Sequence, residues 1–308
     1  MHLFSNADMD KCVVVRLKGG LGNQMFQYAF GKAMALETNS NLWIDISFLR
    51  QNNQTKGVFI ARDYGLWVFP NINDKVLEFE KLYENRLLKK LKRRIFYPKL
   101  QEVVEATLTY NGAYSNLQPP VLYDGFWQNE NYFLKYENEI RKCFSFSPVE
   151  EGDNAYNYLN WILKAPVSIG VHVRRGDYLN DLILQHHGIC SKAYYLEAFR
   201  QMRERYPGAE YFFFSDDPAW VDSEMAKYVE NYTVVEGNLG ADSWKDMCLM
   251  SRCSHQIIAN SSFSWWAAWL NNDKNKSVIA PSRWLANNEL NAQAKAVCPP
   301  AWIRIESH

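Results

Sequence analysis

The sequence predicts two Rossmann-like α/β domains, on three observations. At 308 residues the chain is too long for one ordinary core. Near its start a β-branched strand, a glycine loop and a helix follow one another, as where a Rossmann-like sheet opens. In its second half, strands alternate with helices of about a dozen residues, the pattern of a parallel sheet with right-handed crossovers.

The first unit begins with Cys12–Leu17, a β-branched strand. The loop KGGLGN follows, in which Gly19, Gly20 and Gly22 let backbone approach a ligand. Met25, Tyr28, Ala29, Lys32 and Ala35/Leu36 then recur at helical spacing. The loop is neither GxGxxG nor a phosphate-binding GK[ST] motif. Gly20, Asn23 and Gln24 are expected at sugar hydroxyls; a tight strand-to-helix turn is the alternative. Residues 41–48, NLWIDISF, read as the second strand.

Residues 50–120 are the least legible. Within them Leu87, Leu88, Leu91 and Ile95 share one helical face, and Lys89, Lys90, Lys92, Arg93 and Arg94 cover the rest. The span Arg86–Lys99 is therefore a candidate for peripheral contact with an anionic membrane, or a solvated helix packing its leucines inward. Residues 121–133 read as a strand and an aromatic turn, with Asp124, Trp127 and Gln128 placed to line a sugar pocket. A helix over Tyr132–Phe144 closes the first half. A Pro/Gly/acidic stretch then sets the expected boundary, giving domains 1–160 and 161–308.

The second half opens with SIGVHVRRGDY, residues 168–178. Its apolar run is a buried parallel strand that delivers His172, Arg174, Arg175 and Asp177 at its carboxyl end. After the loop 179–190, Ser191 caps a helix ended by Pro207-Gly208. YFFFSDDP is the next strand, with Ser215, Asp216 and Asp217 at its tip. WVDSEMAKYV, SWKDMCLMSRC and SSFSWWAAWLN read as helices, and YTVVEG, HQIIAN and SVIAPSRW as strands.

In such a sheet, ligands bind beyond the carboxyl ends of the strands. HVRRGD, FSDDP and ANSSFSWW all sit there and read as one nucleotide-diphosphate pocket. Arg174 and Arg175 supply charge, since a planar guanidinium holds two oxygens at once. An Arg–Asp pair tying down a loop is the alternative. Asn260, Ser261 and Ser262 open a helix whose free N–H groups and dipole suit an anion; Ser261 or Ser262 also serves as its cap. Asp216 or Asp217 can accept from two donors on one edge of guanine, while one of them caps the helix after Pro218. DD is not a DxD metal pair, so chemistry without a metal or other cofactor is expected.

Composition narrows the class. Lys+Arg and Asp+Glu are both 34, which argues against a nucleic-acid partner. Eleven Trp and 18 Tyr suit sugar rings, and suit a well-packed core equally. The six cysteines are dispersed without a CxxC pair, as reduced thiols of a cytosolic protein are. The start of the chain has no apolar signal core, and no window reaches the roughly 18 apolar residues of a membrane span. A cytoplasmic protein, at most peripheral on the membrane, is expected.

KGGLGNQMFQYAFGKAMA, GFWQNENYF, GVHVRRGDY, FFFSDDP and NSSFSWWAAWLN, in this order, resemble the bacterial α-1,2-fucosyltransferases of glycosyltransferase family 11. The resemblance runs from about residue 12 to 285. It implies a GT-B-like pair of Rossmann-type domains facing across a cleft, the first on the acceptor side and the second binding GDP-fucose. It implies GDP-β-L-fucose as donor, a β-galactoside as acceptor, and inversion to an α-1,2 linkage. His172–Asp177 matches the HxRRxD motif of the wider superfamily. By that match Arg174 holds the diphosphate, His172 lies near the nucleotide, Asp216 or Asp217 holds guanine, and Ser261/Ser262 support a phosphate. Arg174 is the expected catalytic group; Asp177, among arginines, is expected to orient Arg174 or Arg175. Asp124 and Asp45 are open candidates for a base. The alternatives are an α-1,6 or α-1,3 linkage, or a non-catalytic carbohydrate-binding protein.

Overall fold

The computed structural model describes residues 11–51, 61–77, 100–175 and 188–307. Asp177 and the basic segment Arg86–Lys99 fall outside the described residues. The chain forms two compact units, 1–145 and 146–308, each built on one parallel sheet. The expected pair of Rossmann-like α/β domains is thus met.

In the first unit, β1 (Cys12–Arg16), β2 (Asn41–Asp45), β3 (Lys75–Leu77), β4 (Gln101–Val104) and β5 (Val121–Asp124) lie in the order β3-β2-β1-β5-β4. All pairings are parallel. β1 is central and its apolar residues are buried, as a strand covered on both faces must be. Helix α1 (Leu21–Glu37) packs on it. The approach is close at Gly31, where an added methyl would collide with Val15 and press on Leu42. The second strand stops at Asp45 rather than residue 48. The Asp45 carboxylate accepts from the Ser47 N–H at 2.9 Å and starts the short helix α2 (Ser47–Gln51).

The helix expected over 132–144 is broken into two 3-10 turns, Glu130–Tyr132 and Leu134–Tyr136, and then α3 (Glu137–Cys143). Asn129 caps the first turn, its Oδ1 accepting from the Asn131 N–H at 3.0 Å.

In the second unit the order is β11-β10-β9-β6-β7-β8, again all parallel. Its strands are β6 (Ser168–Val173), β7 (Glu210–Ser215), β8 (Tyr232–Val234), β9 (His255–Ile257), β10 (Val278–Pro281) and β11 (Ile303–Ile305). Its helices are α4 (Asn154–Lys164), α5 (Lys192–Arg205), α6 (Pro218–Glu224), α7 (Trp244–Arg252), α8 (Ser262–Leu270) and α9 (Asn288–Gln293). One core joins Ile169, Val171, Tyr194, Phe199, Phe213 and Val221. On the other side, Gly170 leaves room for Met250 and Cys253 of the α7 crossover. Lys276 Nζ donates to the carbonyls of Ala268 at 2.7 Å and Asn271 at 2.6 Å, closing the end of α8 with a cation where the helix dipole is negative.

The expected boundary after residue 160 falls inside α4 and is corrected to 145/146. α4 packs on α7, Asn154 Nδ2 donates to the Glu236 carbonyl at 2.9 Å, and Asp153 pairs with Lys245. These contacts make α4 part of the second unit.

Candidate active site

The carboxyl ends of β6 and β7 lie side by side, with Val173 opposite Ser215. This register brings Arg174 and Arg175 to Asp216 and Asp217. Arg174 Nη1 meets Asp216 Oδ2 at 3.0 Å, and the Arg175 backbone N–H donates to Asp216 Oδ1 at 2.9 Å. Both Arg174 and Asp216 side chains are 24% exposed, so the pair faces solvent. Arg175 lies flat on Trp220, its guanidinium carbon 3.7 Å from the ring centre, and its Nε is 3.6 Å from Asp217 Oδ2.

Asp217 is the α6 cap. Its Oδ1 accepts from the Trp220 N–H at 3.2 Å, while its own N–H donates to Ser215 Oγ at 3.0 Å. Of the two aspartates, one expected at guanine and the other as this cap, Asp217 is the cap and Asp216 is bound to the arginines.

His172 lies on β6 two residues before Arg174, 5% exposed. Its ring centre is 5.6 Å from that of Phe263, which places the first turn of α8 over the end of β6. Burial, with the Arg174 charge added, pushes its pKa down to about 3 against the pull of Asp216. The ring is neutral at physiological pH, and among the described residues its buried Nδ1 has no hydrogen-bond partner. Ser261 caps α8, its Oγ accepting from the Phe263 N–H at 3.3 Å, and Ser262 is the first helical residue. Other N–H groups of that turn stay available to an anion. Asn260, expected at the ligand, is instead a brace. It is 4% exposed, and its Nδ2 reaches the carbonyls of Gly188 at 3.3 Å and Trp284 at 3.4 Å.

One carboxyl on this edge carried no sequence signal. α7 follows β8 and α8 follows β9, so both helices start at the carboxyl edge, and they pack side by side. Asp246 lies in the first turn of α7. Asn238 Nδ2 donates to its Oδ1 at 2.7 Å. Burial raises its carboxyl to about 7 despite that bond.

The mouth of the first sheet is a charge cluster. Arg16, the last residue of β1, places Nε 2.9 Å from Asp45, and Nη1 2.9 Å from Asp124 and 3.3 Å from Glu102. Lys18 also pairs with Asp124. Burial opposes ionisation of Asp124, but the Lys18 and Arg16 bonds and charges override it and hold its carboxyl below the ordinary value. Asp45 is fully buried. Both candidate bases are thus bound in ion pairs.

Gly19 takes φ +72°, and Gly20 opens α1. Asn23 Oδ1 accepts from Gln128 Nε2 at 2.8 Å, so two expected sugar-facing amides meet. Gln24 does not face a ligand. It is 1% exposed, its Nε2 donates to the carbonyls of Gly19 and Asp63, and its Oε1 accepts from the Gly65 N–H. Trp127 is likewise in the core, stacked on Phe30 at 4.0 Å and edged by Tyr114, Tyr123 and Tyr132. Its backbone sits at φ 54°, held by the Glu105 carboxylate, which accepts from the N–H groups of Phe126 at 2.7 Å and Trp127 at 3.2 Å.

Residues 97–306 match the profile of glycosyl transferase family 11. The chain belongs to that family. Family 11 relatives include the alpha-1,2-colitosyltransferase of Escherichia coli, 35% identical over 96% of this chain and 99% of that one. The human galactoside alpha-(1,2)-fucosyltransferase 1 is 27% identical over 51% of this chain and 45% of its own. Among solved structures, fucosyltransferase NodZ from Bradyrhizobium aligns with a TM-score of 0.48 at 14% identity, over 84% of this chain and 92% of that one. This family 11 chain is a glycosyltransferase. Among the described residues no helix is long and apolar enough to cross a membrane, and no cluster of three metal-ligating side chains occurs.

Proposed function

We propose that the protein moves L-fucose from GDP-β-L-fucose to the 2-hydroxyl of a terminal β-galactoside, inverting to an α-1,2 linkage. The observation that carries this reading is the solvent-facing Arg174, held by Asp216 at a strand mouth beside the capped start of α8. Arg174 and the first-turn N–H groups of α8 bind the diphosphate. Charge builds on that group as the sugar bond breaks, so a fixed guanidinium stabilises the transition state more than the ground state. No metal is invoked. The sugar gains oxocarbenium character and the acceptor hydroxyl attacks the opposite face.

Asp216 orients Arg174, and Arg175 anchors on Trp220. Asp246, whose Oδ1 accepts from Asn238 Nδ2, takes the base-reading role first expected of Asp216 or Asp217. An ionised Asp246 accepts from both N1–H and N2–H of guanine. Asn23 and Gln128, joined across the first mouth, offer amides to acceptor hydroxyls. Asp45 and Asp124 are paired with cations and are not assigned as the base.

A second donor, GDP-colitose, is favoured by the 35% identity to a colitosyltransferase. The test is incubation with each GDP-sugar and a panel of β-galactosides, with linkage analysis by NMR. An α-1,2-fucosyl product is expected. Transfer from GDP-colitose alone selects the second donor. Another linkage, or preference for a UDP-sugar, overturns the reading.

A further inference from the structure

The loop between β8 and α7, residues 235–243, carries Asn238 and leads into Asp246. Gly237 takes φ +93° and Gly240 φ +58°, and Leu239 is 75% exposed. Val235 and Asn238 are buried and Gly240–Asp242 forms a 3-10 turn, while the Val235 N–H donates to the Phe213 carbonyl at 2.9 Å. The loop is also held at both ends by one short stretch of chain, residues 146–158.

At the entry, Asn154 Nδ2 donates to the Glu236 carbonyl at 2.9 Å, and the Glu236 N–H donates to Tyr158 Oη at 3.3 Å. Gly237 passes so close that an added methyl would lie 3.0 Å from Asn154 Nδ2. At the exit, Lys245 pairs with Asp153, and with Asp242 at 3.2 Å. Trp244 stacks on Phe146, ring centres 5.8 Å apart and planes within 15°. Asp153 is itself fixed, because its Oδ1 caps α4 through the Ala155 N–H at 2.9 Å.

We infer that residues 146–158 are a clasp that positions the purine-reading loop, with Asp153, Asn154 and Tyr158 as positioning residues for Asp246. The inference rests on the base-reading role proposed for Asp246. The clasp sets where the Asp246 carboxylate points and keeps Asn238 on its Oδ1. Its loss lets the loop sample other conformers, and the guanine edge meets a correctly placed carboxylate in only a fraction of them. Apparent affinity falls by that fraction. Bound GDP-sugar still meets an unchanged Arg174, so turnover at saturating donor is preserved.

The experiment uses the full chain and five variants: Asn154→Ala, Tyr158→Phe, Lys245→Met, Lys245→Arg and Asp246→Asn. GDP and ADP binding are measured by calorimetry, donor and acceptor KM and kcat by steady-state assay, and folding by thermal denaturation. Asn154→Ala and Lys245→Met are expected to weaken GDP and raise donor KM by about tenfold, narrowing the preference for GDP over ADP. Acceptor KM and kcat should stay within about twofold. Tyr158→Phe, the mildest change, shifts donor KM the same way by a smaller factor and guards against simple misfolding. Lys245→Arg restores the parent values. Equal losses in donor KM, acceptor KM and kcat, or unchanged GDP affinity in the folded variants, overturn the clasp. Asp246→Asn separates the two claims: if it leaves GDP over ADP selection intact, the base-reading role fails first; if it abolishes selection and clasp variants do not touch it, the clasp alone fails.

Discussion

The two sheet mouths are made of the same ingredients and put them to opposite use. At the first, Arg16 is shared among Asp45, Asp124 and Glu102, and Lys18 adds to Asp124. At the second, Arg174 and Arg175 meet Asp216 and Asp217. Asp45 is fully buried, whereas Asp216 is 24% exposed. A buried carboxylate that loses its cation is stranded at a cost of several kcal/mol, so the first cluster is locked. A solvent-facing pair contributes little to stability, and on the proposed reading an arriving diphosphate binds Arg174 while Asp216 keeps it oriented. The location of an arginine at a strand end thus says little. The burial of its partner separates a locked, structural arginine from one open to solvent.

Arginine removal breaks this comparison most sharply. Arg16→Ala should cost about 3–5 kcal/mol of stability, read as a large fall in Tm or loss of soluble protein. Arg174→Ala should change stability by no more than about 1 kcal/mol while lowering transfer about 100- to 1,000-fold. Similar Tm losses in both would erase the distinction.

Trp127 comes next. Its truncation to Ala should destabilise by about 3–5 kcal/mol, as for a filled aromatic core. An acceptor KM that rises without loss of stability would return Trp127 to the sugar-facing role first expected of it.

Asp246 gives a graded test. Its carboxyl titrates near 7, so GDP affinity should climb as pH rises from 6 to 8 and level off above, where the group is ionised. The sign for stability is opposite. Its folded pKa lies above the ordinary value of 3.8, so its contribution is present at low pH and lost as pH rises to about 7. Asp246→Asn should therefore bind GDP weakly at every pH yet melt higher than the parent at pH 8.

His172 should give the smallest effect near neutrality. Its folded pKa lies below 6.5, so stability is full above that value and falls as pH drops towards 3. Denaturant midpoints from pH 7 to 4 should show that decline. His172 ring resonances should not titrate between pH 5 and 8.

Much of this was legible beforehand. The β-branched and apolar strand runs, the helical spacing after Gly22 and the βα alternation carry the signal for both parallel sheets. Arg174, Arg175, SDDP and NSSFSWW lie at carboxyl edges as expected, because a strand's end is fixed by where its apolar run stops. What a side chain does there was less legible. Gln24 and Trp127 have the chemistry of sugar contacts and Asn260 sits where an anion was expected, but each is buried and bonded to backbone or rings, and burial depends on neighbours far away in sequence. Asp246 was missed because it sits in a helix with an ordinary pattern, and only the fold brings that helix to the ligand edge. β3, β4 and β11 are short edge or near-edge strands of three or four residues, too brief for a period to show. The boundary was set late because the helix 154–164 looks the same from either side.

Gly31 seats α1 against β1. Asn23 lies eight residues earlier on the same helix, about 12 Å along its axis. It holds the Gln128 amide across the mouth. An added methyl at position 31 would sit 2.0 Å from the Val15 side chain, so the helix that carries Asn23 keeps its close seat on β1 by lacking one carbon atom.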